Sequence, residues 1–202
     1  MGHLLSDIEP VHVWDHFYKL SRIPRPSGNE RAVCHYIYNL AKGLGLEVTM
    51  DRAAETDFGN VIVRCPATRG CEKGPITVIQ SHVDMVTLPE ERKELPLDLM
   101  LDGTVLRARG STLGADNGIA AAMALSLMTG SDAVHGPLDL LFTINEEAGM
   151  TWARMLSETA LEGSFLINID SEQEGTLTIS SAGAGHYPYQ TGTSASTERT
   201  SL

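Results

Sequence analysis

The chain has 202 residues, 42% of them apolar, and a formal net charge of −11. That length and apolar content allow one ordinary domain, or one domain with an appendage. The acidity argues against nucleic acid or an anionic membrane surface as partner, and no apolar run approaches the roughly 18 residues of a membrane span.

Residues 8–20 follow the helical period, with Val11, Trp14, Phe17 and Tyr18 on one side. A proline-punctuated turn, "SRIPRPSGNE", comes next, and its Ser27 and Glu30 have the spacing of a capping box. Val33, Tyr36, Ile37, Leu40 and Ala41 then mark a second helix that Gly43 and Gly45 end, with Cys34 as a small core residue. "LEVTMD", "NVIVRC" and "ITVIQSH" predict strands, and "LMLDGTVLRARG" predicts a hairpin turning at Asp102-Gly103. "DNGIAAAMALSLMTG" predicts a helix, "LDLLFTINEE" a buried strand, and "TWARMLSETAL" another helix. "FLINID" predicts another buried strand, and "GTLTIS" a short last one. Strands with little in–out alternation, interleaved with helices, imply an α/β class with a mostly parallel sheet covered by helices on both faces. The final stretch is rich in Ser, Thr and Gly and is expected to be a disordered tail.

Open α/β sheets bind ligands at the carboxyl ends of their strands. Four such ends carry metal-type side chains: His82 with Asp84, Asp116, Glu146 with Glu147, and Asp170. Each has a plain structural explanation: a buried His–Asp hydrogen bond, a helix cap, a solvated turn. Together they imply a cation, because so many carboxylates at one edge repel without one. In an extended chain residues i and i+2 face the same side. His82 is therefore free to ligate through one ring nitrogen while Asp84 accepts a hydrogen bond from the other. Glu146 and Glu147 face opposite sides within a strand, so the chain must already have turned for both to reach the site. One of them then binds metal and the other serves as general base. Histidine with carboxylates suits zinc, and also cobalt or manganese. The other histidines, His3, His12, His16, His35 and His135, read as helix-surface or loop residues.

"SHVDMV", "GSTLGADNGIAAAMAL", "TINEEAGMTWA" and "LINIDSEQEG" resemble the aminoacyl-histidine dipeptidases, also called peptidase D or cytosolic non-specific dipeptidase. These belong to a dinuclear metallopeptidase superfamily with carboxypeptidase G and aminoacylase. The resemblance runs from about residue 5 to 182. It implies two divalent metal ions, with His82, Asp116 and Asp170 at one, Asp116 bridging, and Glu147 at the other. It further implies Glu146 as general base, Asp84 as the partner that orients His82, and a cis Asp116–Asn117 peptide. The implied activity is hydrolysis of small dipeptides, Xaa-His among them, by a metal-activated water.

The family chain continues into a lid domain and supplies a further histidine ligand. Here the resemblance stops near residue 182. Residues 1–182 are thus expected to be the N-terminal part of a catalytic domain truncated before the lid, with residues 183–202 a tail foreign to the family. Such a chain is expected to be a crippled dipeptidase. The competing readings are an N-acyl amino acid deacylase of the same superfamily and an inactive metal-binding fragment. His186, in the tail, is not expected to replace the missing ligand. The resemblance also implies a homodimer for the full-length family. Three cysteines without a C-x-x-C pair, and an N-terminus without a basic-then-apolar pattern, predict a cytoplasmic location.

Overall fold

The computed structural model describes residues 2–52, 55–87, 96–130, 132–171 and 173–179. In chain order the elements are α1 (Val11–Ser21), α2 (Arg31–Gly43), β1 (Glu47–Asp51), β2 (Asn60–Cys65), β3 (Thr77–His82), β4 (Leu99–Asp102), β5 (Val105–Ala108), α3 (Ala115–Thr129), β6 (Leu138–Thr143), α4 (Thr151–Arg154) and β7 (Phe165–Asn168). Five strands form one sheet in the order β1-β2-β6-β3-β7, and β4 and β5 form a separate hairpin. β1 and β2, and β2 and β6, run antiparallel. β6 and β3, and β3 and β7, run parallel. The class is α/β, with a mixed sheet around a parallel core. The chain divides into two units, Met1–Asp170 and Ser171–Leu202.

Strand alternation gives the sheet two faces. Val61, Val63, Ile79, Leu140 and Phe142 join Phe17, Leu20, Val33, Ile37 and Leu125 of the helices in the main core. Ile62, Val78 and Leu141 face the other way, under Leu156, Ala160 and Leu161. All six residues of β6 are buried, which is why its sequence shows no alternation. α3 packs against both α1 and β3. That position explains a helix apolar almost all round, with Ala120, Ala121, Ala122, Ala124 and Leu125 fully buried.

Several expectations need correction. α1 begins at Val11, after Pro10, and its buried face is Val13, Phe17 and Leu20, with Val11 exposed. His16 lies on that face. It is buried and hydrogen-bonds Thr129 Oγ1 at 2.7 Å. Ser27 and Glu30 form no capping box: Glu30 occupies the N-cap position of α2, and no side chain caps the helix. The hairpin pairs Asp102 with Val105, so its two loop residues are Gly103 and Thr104. Gly103 alone has positive φ there, the pattern of a II′ turn. The helix expected over residues 151–161 shrinks to the one turn of α4, because Leu156, Ala160 and Leu161 leave it to cover the second face. β7 ends the sheet order and is not buried: Phe165 is 61% exposed and Leu166 58%. Residues 173–179 contain no helix or strand. The expected tail, residues 183–202 with His186, lies outside the described residues.

Candidate metal centre

The parallel strands bring their carboxyl ends to one edge. His82, the last residue of β3, pairs with Thr143, the last of β6. Asp170 lies two residues past β7. The His82 ring is buried, and its Nε2 faces Asp116 Oδ1 at 3.0 Å, Asp170 Oδ1 at 3.7 Å and Glu146 Oε2 at 3.8 Å. Ring Nδ1 faces the Asp84 carbonyl at 3.1 Å and Asp84 Oδ1 at 3.4 Å. Both neighbours of Nδ1 are acceptors, so Nδ1 carries a proton and the Nε2 position is directed at the carboxylates.

Asp116 follows Gly114, whose φ is 64°, and is not itself helical. The Asp116–Asn117 peptide is cis, as the resemblance implies. The N-cap position of α3 belongs to Gly114, so Asp116 is not there as the helix cap. Instead its carboxylate stands with His82 and Glu147, their ligand atoms all within 4.8 Å of one another.

Both glutamates reach the site because the chain turns sharply after β6. Asn145 and Met150 are the two non-glycine residues with positive φ among those described. Four successive amides are each held by a side-chain oxygen. The Ile144 N–H donates to Asn60 Oδ1 at 3.3 Å, and the Asn145 N–H to Glu30 Oε1 at 3.1 Å. The Glu146 N–H donates to Asp84 Oδ1 at 3.1 Å, and the Glu147 N–H to Asp84 Oδ2 at 3.2 Å. Ser27 Oγ adds a hydrogen bond to Asp84 Oδ2 at 2.7 Å. Asp84 therefore orients His82 and also fixes the backbone of both glutamates.

Arg25 joins the two sides of the site from below. It is 1% exposed. Its Nη1 donates to the Val83 carbonyl at 2.8 Å and its Nη2 to the Gly114 carbonyl at 2.6 Å. The His82 and Asp116 segments are thus bound to one guanidinium. Gly114 and Gly118 leave room for it: a Cβ on either would sit 2.7 Å or 2.4 Å from Nη2. Burial lowers the Arg25 pKa to about 10, partly offset by the charge of Asp84.

The electrostatics separate the carboxylates. Burial pushes Asp84 up, but hydrogen bonds from His82, Ser27 and the Glu146 amide outweigh it and hold Asp84 below the usual range. Burial raises Glu146, Glu147 and Asp170, and neighbouring carboxylates add to the rise against the pull of His82. Burial lowers His82, yet Asp84, Asp170 and Glu146 together raise its pKa to about 9. One imidazole with several carboxylates whose charges repel fits a divalent cation such as zinc.

The structure brings all six expected residues, His82, Asp84, Asp116, Glu146, Glu147 and Asp170, to this edge. Sequence reasoning missed Arg25, Ser27, Glu30 and Asn60. The four lie 57 to 115 positions from their partners in the site, and no local pattern marks them.

The model of peptidase family M20/M25/M40 matches residues 78–185. The cytosol non-specific dipeptidase of Escherichia coli (strain K12) is 42% identical over 185 residues, which cover 89% of this chain and 37% of that protein. The crystal structure of aminoacylhistidine dipeptidase from Vibrio alginolyticus superposes with a TM-score of 0.79 at 39% identity, covering 86% of this chain and 35% of that one. A tripeptidase from Staphylococcus aureus, 24% identical, shares the fold with a TM-score of 0.65 over 79% of this chain and 43% of that one. The chain thus spans little more than a third of the length of the two dipeptidases it matches.

Proposed function

The chain belongs to peptidase family M20/M25/M40, and from that premise we propose that its site serves the metal-dependent hydrolysis of small unblocked dipeptides, Xaa-His among them. The observation that carries this reading is the convergence of Asp116, Glu147 and Asp170 on the outward nitrogen of His82, with Glu146 beside them. His82, Asp116 and Asp170 would hold one cation, and Asp116 and Glu147 a second. Zinc suits both, with cobalt or manganese as substitutes. When bound, such ions supply a Lewis acid that polarises the peptide carbonyl and lowers the pKa of water.

The protein's own residues do the rest. Glu146 takes a proton from the attacking water and returns it to the leaving amine. Burial raises its pKa, which favours taking up a proton. Asp84, held low, stays ionised and keeps the His82 ring in place. Two carboxylates with environments that push them apart divide the roles of base and orienter. A cytoplasmic setting agrees with the three unpaired cysteines, and among the described residues no helix is long and apolar enough to cross a membrane.

The test is Glu146→Gln in the full chain. The amide keeps the shape and loses the proton acceptor. We expect Zn(II) binding by calorimetry to stay within about threefold, and whatever zinc-dependent release of amino acids from a dipeptide the unmutated chain supports, slow in a crippled dipeptidase, to disappear. Lost zinc affinity would make Glu146 a ligand instead of a base. Faster release from an N-acyl amino acid than from the dipeptide would point to a deacylase.

A further inference from the structure

Glu30 is a buried carboxylate that the proposed chemistry does not use. It is 1% exposed, and its Oε1 accepts two backbone N–H groups, from Gly28 at 2.8 Å and from Asn145 at 3.1 Å. The first bond is local and ties Oε1 to the turn before α2. The second crosses the molecule to the residue where the chain leaves β6. Asn145 has φ 59°, and Glu146 and Glu147 follow it directly.

The turn that carries Glu30 is itself stitched to the β3 side of the site. Pro26 bridges Met85 in parallel, the Met85 N–H donates to the Arg25 carbonyl at 3.1 Å, and Ser27 Oγ holds Asp84. Glu30 thus joins a segment anchored beside His82 and Asp84 to the corner that aims the two glutamates. Asp84 accepts the next two amides from the same side.

We infer that Glu30 is a positioning residue for the cation site: its carboxylate oxygen fixes the Asn145 amide, and with it the direction in which Glu146 and Glu147 leave β6. The inference deepens the proposed function and rests on it. A purely structural Glu30 would satisfy two backbone amides and leave the site's affinity alone. A positioning Glu30 sets where Glu147 meets His82 and Asp116, so reach matters more than charge.

Two variants of the full 202-residue chain separate these roles, with Co(II) as probe and its visible spectrum as readout. Glu30→Gln keeps an acceptor oxygen at the same distance. Glu30→Asp keeps the charge but draws the oxygen back by one methylene, out of reach of one amide. We expect Glu30→Gln to bind Co(II) within about threefold of the unmutated chain, and Glu30→Asp to bind it about 10- to 100-fold more weakly with an altered visible spectrum. Thermal midpoints measured without metal show whether each variant folds. Equal affinities and spectra in all three chains overturn the inference, as does any other order of affinities. A Glu30→Asp chain that does not fold while Glu30→Gln does also overturns it, since the role is then structural. No Co(II) binding by the unmutated chain would instead sink the metal-site reading itself, and that control stands apart from the variants.

Discussion

Replacing Asp84 by Asn tests how much of the site one carboxylate holds together. Asp84 accepts from Ser27 Oγ, the Glu146 N–H and the Glu147 N–H, and it faces His82 Nδ1. An Asn in the same pose keeps one oxygen, which still serves Glu146. Its NH2 then faces Ser27 and the Glu147 N–H. The serine hydroxyl rotates and accepts from it, but a backbone N–H has no such choice. One donor is left facing another, and a bond to a charged acceptor is lost, at a cost of about 1.5–3 kcal/mol. Buried Arg25 also loses the one charge that raises its pKa, which adds to the cost. Freed from its hydrogen bond, Glu147 no longer meets His82 and Asp116 at a fixed distance, so cation affinity is expected to fall about 10- to 100-fold. Urea unfolding of metal-free Asp84→Asn gives the first number and Zn(II) calorimetry the second. A variant as stable as the unmutated chain, with unchanged zinc affinity, would mean that Asp84 does not set the glutamate corner.

Acid should act through His16. Burial lowers its pKa to about 4 from an ordinary value of 6.5, and its Nδ1 is buried without a partner to take a second proton. The unfolded chain therefore binds more protons between those values. The contribution is fully present above pH 6.5 and is lost as the pH falls toward 4, by roughly 1–2 kcal/mol at pH 5. His16→Gln should show that much less destabilisation between pH 7.5 and pH 5 in urea titrations, and an unchanged pH dependence would count against it. Gly118→Ala should lower the thermal midpoint, at a cost of about 1–3 kcal/mol, because the new Cβ would lie 2.4 Å from a guanidinium nitrogen pinned by the Gly114 carbonyl. A midpoint unchanged within error would mean Arg25 moves freely.

What was legible in the sequence was what local pattern controls. β2, β3 and β6 announced themselves as apolar runs because they are buried in the sheet, and His82, Glu146 and Asp170 stood out as polar groups placed where such runs end. The misreadings share a cause. Ser27 and Glu30 have the spacing of a capping box, but their partners lie in Asp84 and Asn145, which no window of a few residues reveals. Arg25 looked like a turn residue because its acceptors are backbone carbonyls far along the chain. "FLINID" is as apolar as the buried strands, yet the place of β7 at the end of the sheet, not its composition, sets its exposure. The helix expected over 151–161 failed because its apolar residues are used on the second sheet face instead of along one helical stripe.

The proposed function stands on His82 and its carboxylate neighbours holding a cation. X-ray absorption on the full chain loaded with one equivalent of Zn(II) addresses it most directly. One imidazole per zinc is expected, with oxygen donors at about 2.0–2.2 Å, and loss of the imidazole signal in His82→Ala. A zinc shell with sulfur, with no imidazole, or unchanged in His82→Ala would contradict it.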